Sequence, residues 1–182
     1  MPSPRIRITW QSTPPPSDPL DDSRLAAALE EFLEALGHGG RGVSLLLADD
    51  ATLHGLNREH RGRDAPTDIL SWSYLEDAPA AAPPAAAGDS VPHPKATPGG
   101  AEAEPGSEPL GDLALSLDRA RHQAAENGWD LVTEVLRLLA HGCAHLAGYD
   151  HSTEDEERRM RAVEVSLLEG QGLTKIYPES LL

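Results

Sequence analysis

The chain has 182 residues, with 30 Asp and Glu against 15 Lys and Arg, one Cys, 16 Pro and 16 Gly. That length suits one domain, or one domain with an appendage, and the lone Cys143 excludes a disulfide framework or a thiolate zinc ribbon. A net charge of −15 speaks against a general nucleic-acid coat, whose affinity comes from Lys and Arg displacing counterions, though it leaves room for a local basic site.

No apolar run approaches the ~20 residues of a membrane span. The start, Met-Pro-Ser-Pro-Arg-Ile-Arg-Ile, is too charged and proline-broken for a signal peptide. The expectation is a soluble, cytoplasmic protein with no membrane partner. In chain order, Arg5–Trp10 reads as a strand, with Ile6, Ile8 and Trp10 on one face. Asp18–Ser23 supply caps and acids for a helix with Leu25, Leu29, Phe32, Leu33 and Leu36 on one stripe, closed by Gly37. Val43–Ala48 is a buried strand, and Asp49-Asp50 starts a short helix through Leu53, Leu56 and Asn57. Asp68–Trp72 and Leu110–Ser116 are two further strands. Asp118 caps a helix to Asn127-Gly128, and Asp130 starts one carrying Leu131, Val135, Leu138 and Leu139. A last helix runs from about Ser152 to Glu169, with Ser152, Thr153 and Asp155 or Glu156 as its capping pattern. Pairs Glu154–Arg158, Asp155–Arg159 and Glu157–Arg161 follow at favourable i,i+4 spacing.

Between the third and fourth strands lies a stretch unlike the rest. Of the 33 residues 76–108, 21 are Ala, Pro or Gly, and Val91 is the only large aliphatic. Six acids face one Lys there. The stretch reads as a disordered insertion bulging from one end of the sheet, or as a Pro-rich partner-binding segment. Residues 1–75 and 109–182 then form a single α+β domain, a mixed sheet of about four strands packed with about five helices.

The chemistry is concentrated in His141-Gly-Cys-Ala-His145-Leu-Ala-Gly148-Tyr-Asp150-His151. Residues four apart on a helix share a face, so His141 and His145 present two imidazoles to one point. Gly148 accepts the left-handed backbone that ends a helix and lets His151 return as a third ligand. Three imidazoles plus an open position is the pattern of a catalytic zinc site. Cys143, about 200° around the helix from His141, points into the core as a small hydrophobe. Zinc proteases of the His-Glu type place a Glu base directly after the first His, where this chain has Gly142.

Three segments together resemble the YbeY-type endoribonucleases, bacterial rRNA maturation factors. They are Leu56-Asn-Arg-Glu-His60-Arg61…Pro66-Thr67-Asp68-Ile-Leu-Ser71-Trp72, Leu110-Gly-Asp112-Leu, and the run from His141 to His151. His60 and Trp72 stand where that family usually has Tyr and Phe, and the insertion 76–108 is not part of its pattern. The resemblance implies that His141, His145 and His151 bind one Zn2+ and that residues 1–75 and 109–182 are one metallohydrolase domain. It also places Arg61 in the cleft, where a guanidinium can bind a phosphate in a fork. On its residues alone Arg61 also reads as a surface ion pair with Glu59 or Asp64. Asp68 fixes a turn, Asp112 ends a strand or else helps the cleft, and Tyr149 is a core ring or else reaches the cleft. Asp150 either holds a ligand imidazole or packs at the helix end.

The activity so implied is cleavage of single-stranded RNA in rRNA processing, at the 3′ end of the small-subunit rRNA, and in ribosome quality control. The implied partners are rRNA, small ribosomal subunit components and a ribosome-maturation GTPase. Two other readings stand beside it: a non-catalytic ribosome assembly factor braced by zinc, and a zinc metalloprotease lacking the usual Glu.

Overall fold

Period-two burial at Ile6, Ile8 and Trp10 forms β1 (Ile6–Trp10), which pairs in parallel with the more buried β2 (Gly42–Ala48). The structure, a computed structural model, describes residues 5–12, 20–75 and 108–177. Parallel neighbours need a crossover, which α1 (Asp22–Ala35) supplies, laying Leu25, Leu29, Phe32 and Leu33 against the sheet. β2 pairs in parallel with β4 (Pro109–Ser116), and β3 (Ile69–Ser73) adds antiparallel to the far side of β4. The order β1-β2-β4-β3 makes a four-stranded mixed sheet with β3 at an edge. With five helices among the described residues, this is the expected α+β architecture.

The two faces of the sheet are unequal. Val43, Leu45, Leu47, Leu113 and Leu115 face the main core, shared with α1, α3 (Leu117–Asn127), α4 (Leu131–Leu146) and α5 (Glu154–Gly170). Among the described residues, the opposite face carries only α2 (Asp50–Arg61), whose Leu53 and Leu56 meet Ala48, Leu70, Trp72 and Ala114. α4 is buried nearly all round, as a helix in the middle of a layered core must be. The backbone of β4 comes very close to β3: a Cβ added at Gly111 would lie 2.1 Å from the Trp72 carbonyl oxygen. Gly in the Leu110-Gly-Asp112 segment is therefore a packing requirement.

Several local expectations change. α3 is capped by Ser116, whose hydroxyl accepts from the Arg119 amide, and not by Asp118. Asp118 instead accepts from the amide of Asp50 at 3.2 Å and so serves the start of α2. At the start of α5, Thr153 and Glu156 make the reciprocal capping box. Arg158 pairs with Asp155 three residues back, whereas Arg161 does meet Glu157 at the expected spacing. Tyr149 is 37% exposed, so it is not a core ring: it follows the turn that ends α4 and points away from the packed layers. Asp68 does fix a turn, accepting from the Ile69 amide and from Gln123.

The insertion read over 76–108 lies outside the described residues except for Glu108. That residue is tied to the sheet through the Gly42 amide and through Arg41 at 3.1 Å. The chain leaves the sheet after β3 and returns at β4 on adjacent antiparallel strands, with Ser73 opposite Gly111. A short link could therefore join them, and loop-closure entropy grows only slowly with length. Replacing residues 79–105 by a short Gly/Ser link is expected to leave stability within about 1 kcal/mol of the full chain. Chemical denaturation checks this, and loss of the cooperative transition in the shortened chain would contradict it.

Candidate metal centre

Asp130 starts α4 by accepting from the Thr133 amide at 2.7 Å, and the apolar residues around the helix hold it in the core. His141 and His145 emerge from its last turns on the half-buried side. The helix then ends in a Schellman turn: the Gly148 amide donates to His145 O and the Tyr149 amide to Ala144 O, both at 3.0 Å. Gly148 has φ +93, the left-handed backbone that a side chain would strain. Asp150 shapes the next bend by accepting from the His151 amide and the Ser152 hydroxyl, both at 2.8 Å. It thus orders the backbone that carries His151, without a hydrogen bond to a ligand ring. Burial alone would raise the Asp150 pKa, but those two bonds and the nearby imidazoles hold it below the usual range.

The result brings His141, His145 and His151 together with ligand atoms within 4.8 Å of one another. Their rings lie 4.7, 5.1 and 5.8 Å apart between centroids. Two of the three rings have a fixed tautomer. His145 Nδ1 lies 3.0 Å from the Tyr149 carbonyl oxygen, which can only accept, so Nδ1 carries the proton and Nε2 the lone pair. His141 Nδ1 lies 2.6 Å from Oε1 of Glu164. Burial tends to raise the Glu164 pKa, but its bonds to His141 and to the Tyr177 hydroxyl and the charge of Arg161 keep it lowered, so the carboxylate accepts and His141 Nδ1 carries a proton. Burial, followed by the neighbouring imidazoles of His141 and His151, pushes the His145 pKa down to about 4. It is neutral at ordinary pH and needs to lose no proton to ligate a cation. Two rings oriented through their Nδ1 atoms and one exposed His suit a divalent metal with a solvent-facing open position.

Cys143, between the first two His, is fully buried, and burial pushes its thiol up to about 12, so it packs and does not ligate. At Gly142, a Cβ would lie 2.8 Å from both Ile69 Cδ1 and Leu113 Cδ2. The position where proteases carry a Glu base therefore faces the sheet, and a side chain there would have to displace the tips of Ile69 and Leu113. A cleft of about 270 Å³ opens beside His141 and His151, bounded by Arg137, Arg161, Glu164 and Tyr177. Glu164 was not singled out from the sequence, although a signal existed: it shares a buried stripe of α5 with Met160, Leu167 and Leu168.

Arg61 closes the last turn of α2 and forms no ion pair with Glu59 or Asp64; Asp64 pairs with His54 at 2.7 Å. Its Nη2 donates to the Ser71 carbonyl oxygen at 2.7 Å. The ladder explains why that oxygen is free: Ser116 donates to Asp68 O and Tyr74 to Leu110 O, so Ser71 turns its own groups outward at the sheet edge. The same strand meets α4 on its inner face, where Ser73 Oγ donates to Leu146 O at 2.8 Å. β3 thus links Arg61 to the end of the His helix. His60 and Trp72, the two departures in ring type, pack against each other edge to face at 6.0 Å. Asp112 does not end a strand: it lies within β4, paired on both sides, buried, and accepts from the Tyr74 hydroxyl.

The family model described as endoribonuclease YbeY matches residues 18–172. An endoribonuclease YbeY of Pelotomaculum thermopropionicum is 41% identical over 152 residues, covering 83% of this chain and 86% of that one. One from Symbiobacterium thermophilum is 40% identical, covering 80% and 83%. A solution structure from Thermotoga maritima superposes with a TM-score of 0.51 over 96% of this chain at 18% identity, a likeness of fold.

His145→Ala removes the clustered imidazole that the turn itself orients, and two imidazoles bind a metal poorly. Elemental analysis of the purified variant is expected to show the metal largely lost, where the parent carries about one equivalent. Full occupancy in the variant would contradict the ligand set.

Proposed function

From the premise that the chain belongs to the endoribonuclease YbeY family, we propose that it is a zinc-dependent endoribonuclease cleaving single-stranded RNA. The reading extends to rRNA processing in the cytoplasm, at the 3′ end of the small-subunit rRNA, and to ribosome quality control. Small-subunit components and a ribosome-maturation GTPase are its proposed partners. The single observation that carries the chemical part is the open three-imidazole cluster at the end of α4.

In this reading His141, His145 and His151 hold the ion and leave one position facing solvent. Zinc bound there supplies Lewis-acid polarisation of the phosphate and a lowered pKa for the attacking hydroxyl or water. Arg61 supplies the charge complement. Its guanidinium stays protonated even though burial, then Arg63, draws its pKa down. One of its arms is held by Ser71, which orients the fork while other donors stay available for non-bridging phosphate oxygens. Cleavage gathers negative charge on those oxygens, so a pre-oriented cation lowers the barrier without having to reorganise. The acidic total of the chain does not oppose this, because short-range contacts at the cleft outweigh screened charges more than about 10 Å away.

The protease alternative has no Glu base at position 142, where the chain has Gly and the helix faces the sheet. The assembly-factor alternative needs a closed metal site, and no fourth side chain joins the cluster among the described residues.

Arg61→Ala is expected to keep the metal and the folded spectrum yet slow cleavage of single-stranded RNA by about 10²–10³, the scale of one lost charge stabiliser. Arg61→Lys should recover only part of the rate, because an ammonium lacks the fork. Single-turnover assays against Glu59→Ala, which touches neither Ser71 nor the cluster, provide the check. Wild-type cleavage by Arg61→Ala would remove Arg61 from the chemistry.

A further inference from the structure

We propose that Glu164 is a positioning residue of the metal centre: it fixes the tautomer and ring orientation of His141 and thereby strengthens metal binding. The inference rests on the reading of His141 as a ligand.

A carboxylate at this place needs an explanation. Met160, Glu164, Leu167 and Leu168 form the inward stripe of α5, and Glu164 is only 3% exposed. An ordinary packing role there belongs to Leu or Met, since burying a charge is costly unless it is well paired. The distances decide which partner it serves. Oε1 lies 2.6 Å from His141 Nδ1, whereas Oε2 comes no closer than 3.6 Å to Arg161 Nη1, with Tyr177 as the carboxylate's other neighbour. Arg161 is itself divided, 3.6 Å from Glu157 and stacked 4.3 Å over the Tyr177 ring. If Glu164 existed to pair with an arginine, the geometry would be reversed.

The molecule contains the contrasting case. Glu134, fully buried on α4, is gripped by Arg137 in a fork with contacts of 2.6, 3.0 and 3.2 Å and touches no histidine. That is a structural ion pair. Glu164 has instead the shortest contact to a ligand imidazole and only a loose cation behind it.

The consequence for His141 follows from general chemistry. A free imidazole divides its proton between two nitrogens, and the Nε2-protonated form cannot ligate through Nε2. An anionic acceptor at Nδ1 removes that form, adds electron density at Nε2 and locks the ring plane. That plane stands 89° from the His145 ring and 21° from the His151 ring. Arg161 and Tyr177 keep the carboxylate in place from the cleft side, so α5 and the segment after it serve the centre without touching the metal.

The test is chelator-competition measurement of zinc affinity on the full chain, alongside melting of the zinc-free protein. Glu164→Met fills the same space without the charge. It is expected to leave zinc-free stability near the parent's while weakening zinc binding about 10–100-fold. Glu164→Gln, which can still accept from Nδ1 but carries no charge, should fall between the two. Glu157→Gln, on the same cleft wall but paired with Arg161 and not with a histidine, should bind zinc like the parent. A merely structural Glu164 would move the melting temperature and not the affinity. Parent-like zinc affinity in Glu164→Met, with Glu164→Gln the same, would overturn the proposal while His141→Ala still lost zinc. Should Glu164→Met not fold, parent-like affinity in Glu164→Gln alone would overturn it. If His141→Ala also bound zinc like the parent, the ligand reading would fall with it.

Discussion

The centre depends on one backbone event, the left-handed turn at Gly148. Two imidazoles at i and i+4 converge on any helix, but a third from beyond the helix can join them only if the chain reverses at once. The two amide bonds of that turn, from Gly148 and Tyr149, stop α4 within a residue or two of His145. The same turn brings the Tyr149 carbonyl to His145 Nδ1 and so chooses the tautomer that can ligate. Asp150 adds the second bend, after which Thr153 restarts a helix with a full capping box. Backbone hydrogen bonding thus does most of the work of assembling the ligands.

The rest of the fold holds that turn still. α4 is wrapped by α1, α3, α5 and the sheet, with Cys143, Ala144 and Leu146 fully buried around the histidines. Gly142 lets the helix approach β3 and β4 closely, and Ser73 fastens β3 to its last carbonyls. Since β3 is also the edge strand whose outward carbonyl holds Arg61, one strand couples the cation on one face of the sheet to the histidines on the other.

Much of this was legible in the residues, because the signals were local. Period-two and period-3.6 burial marked the strands and helices, and the His141–His151 spacing named the three histidines that come together, with their glycine. What could not be read involved contacts between distant segments. The strand order β1-β2-β4-β3 depends on which edges pair, a choice the apolar pattern does not encode. Asp118 looked like the cap of its own helix, yet Ser116 took that place and Asp118 turned to Asp50, 68 residues away. Tyr149 was read as core because rings usually are, but the reversal it belongs to leaves it outside the packed layers. Arg61 found a backbone carbonyl where the sequence offered only nearby acids. Glu164 was hidden among the charges of an acidic helix, and only its place on the apolar stripe distinguished it.

X-ray absorption at the zinc edge of the purified protein tests the central claim directly, since it counts and types the ligands without a mutation. The account requires three imidazole nitrogens at about 2.0–2.1 Å and one further light oxygen from solvent. A sulfur at about 2.3 Å, or a fourth imidazole in place of the oxygen, would mean a closed site and contradict an open metal centre at the end of α4.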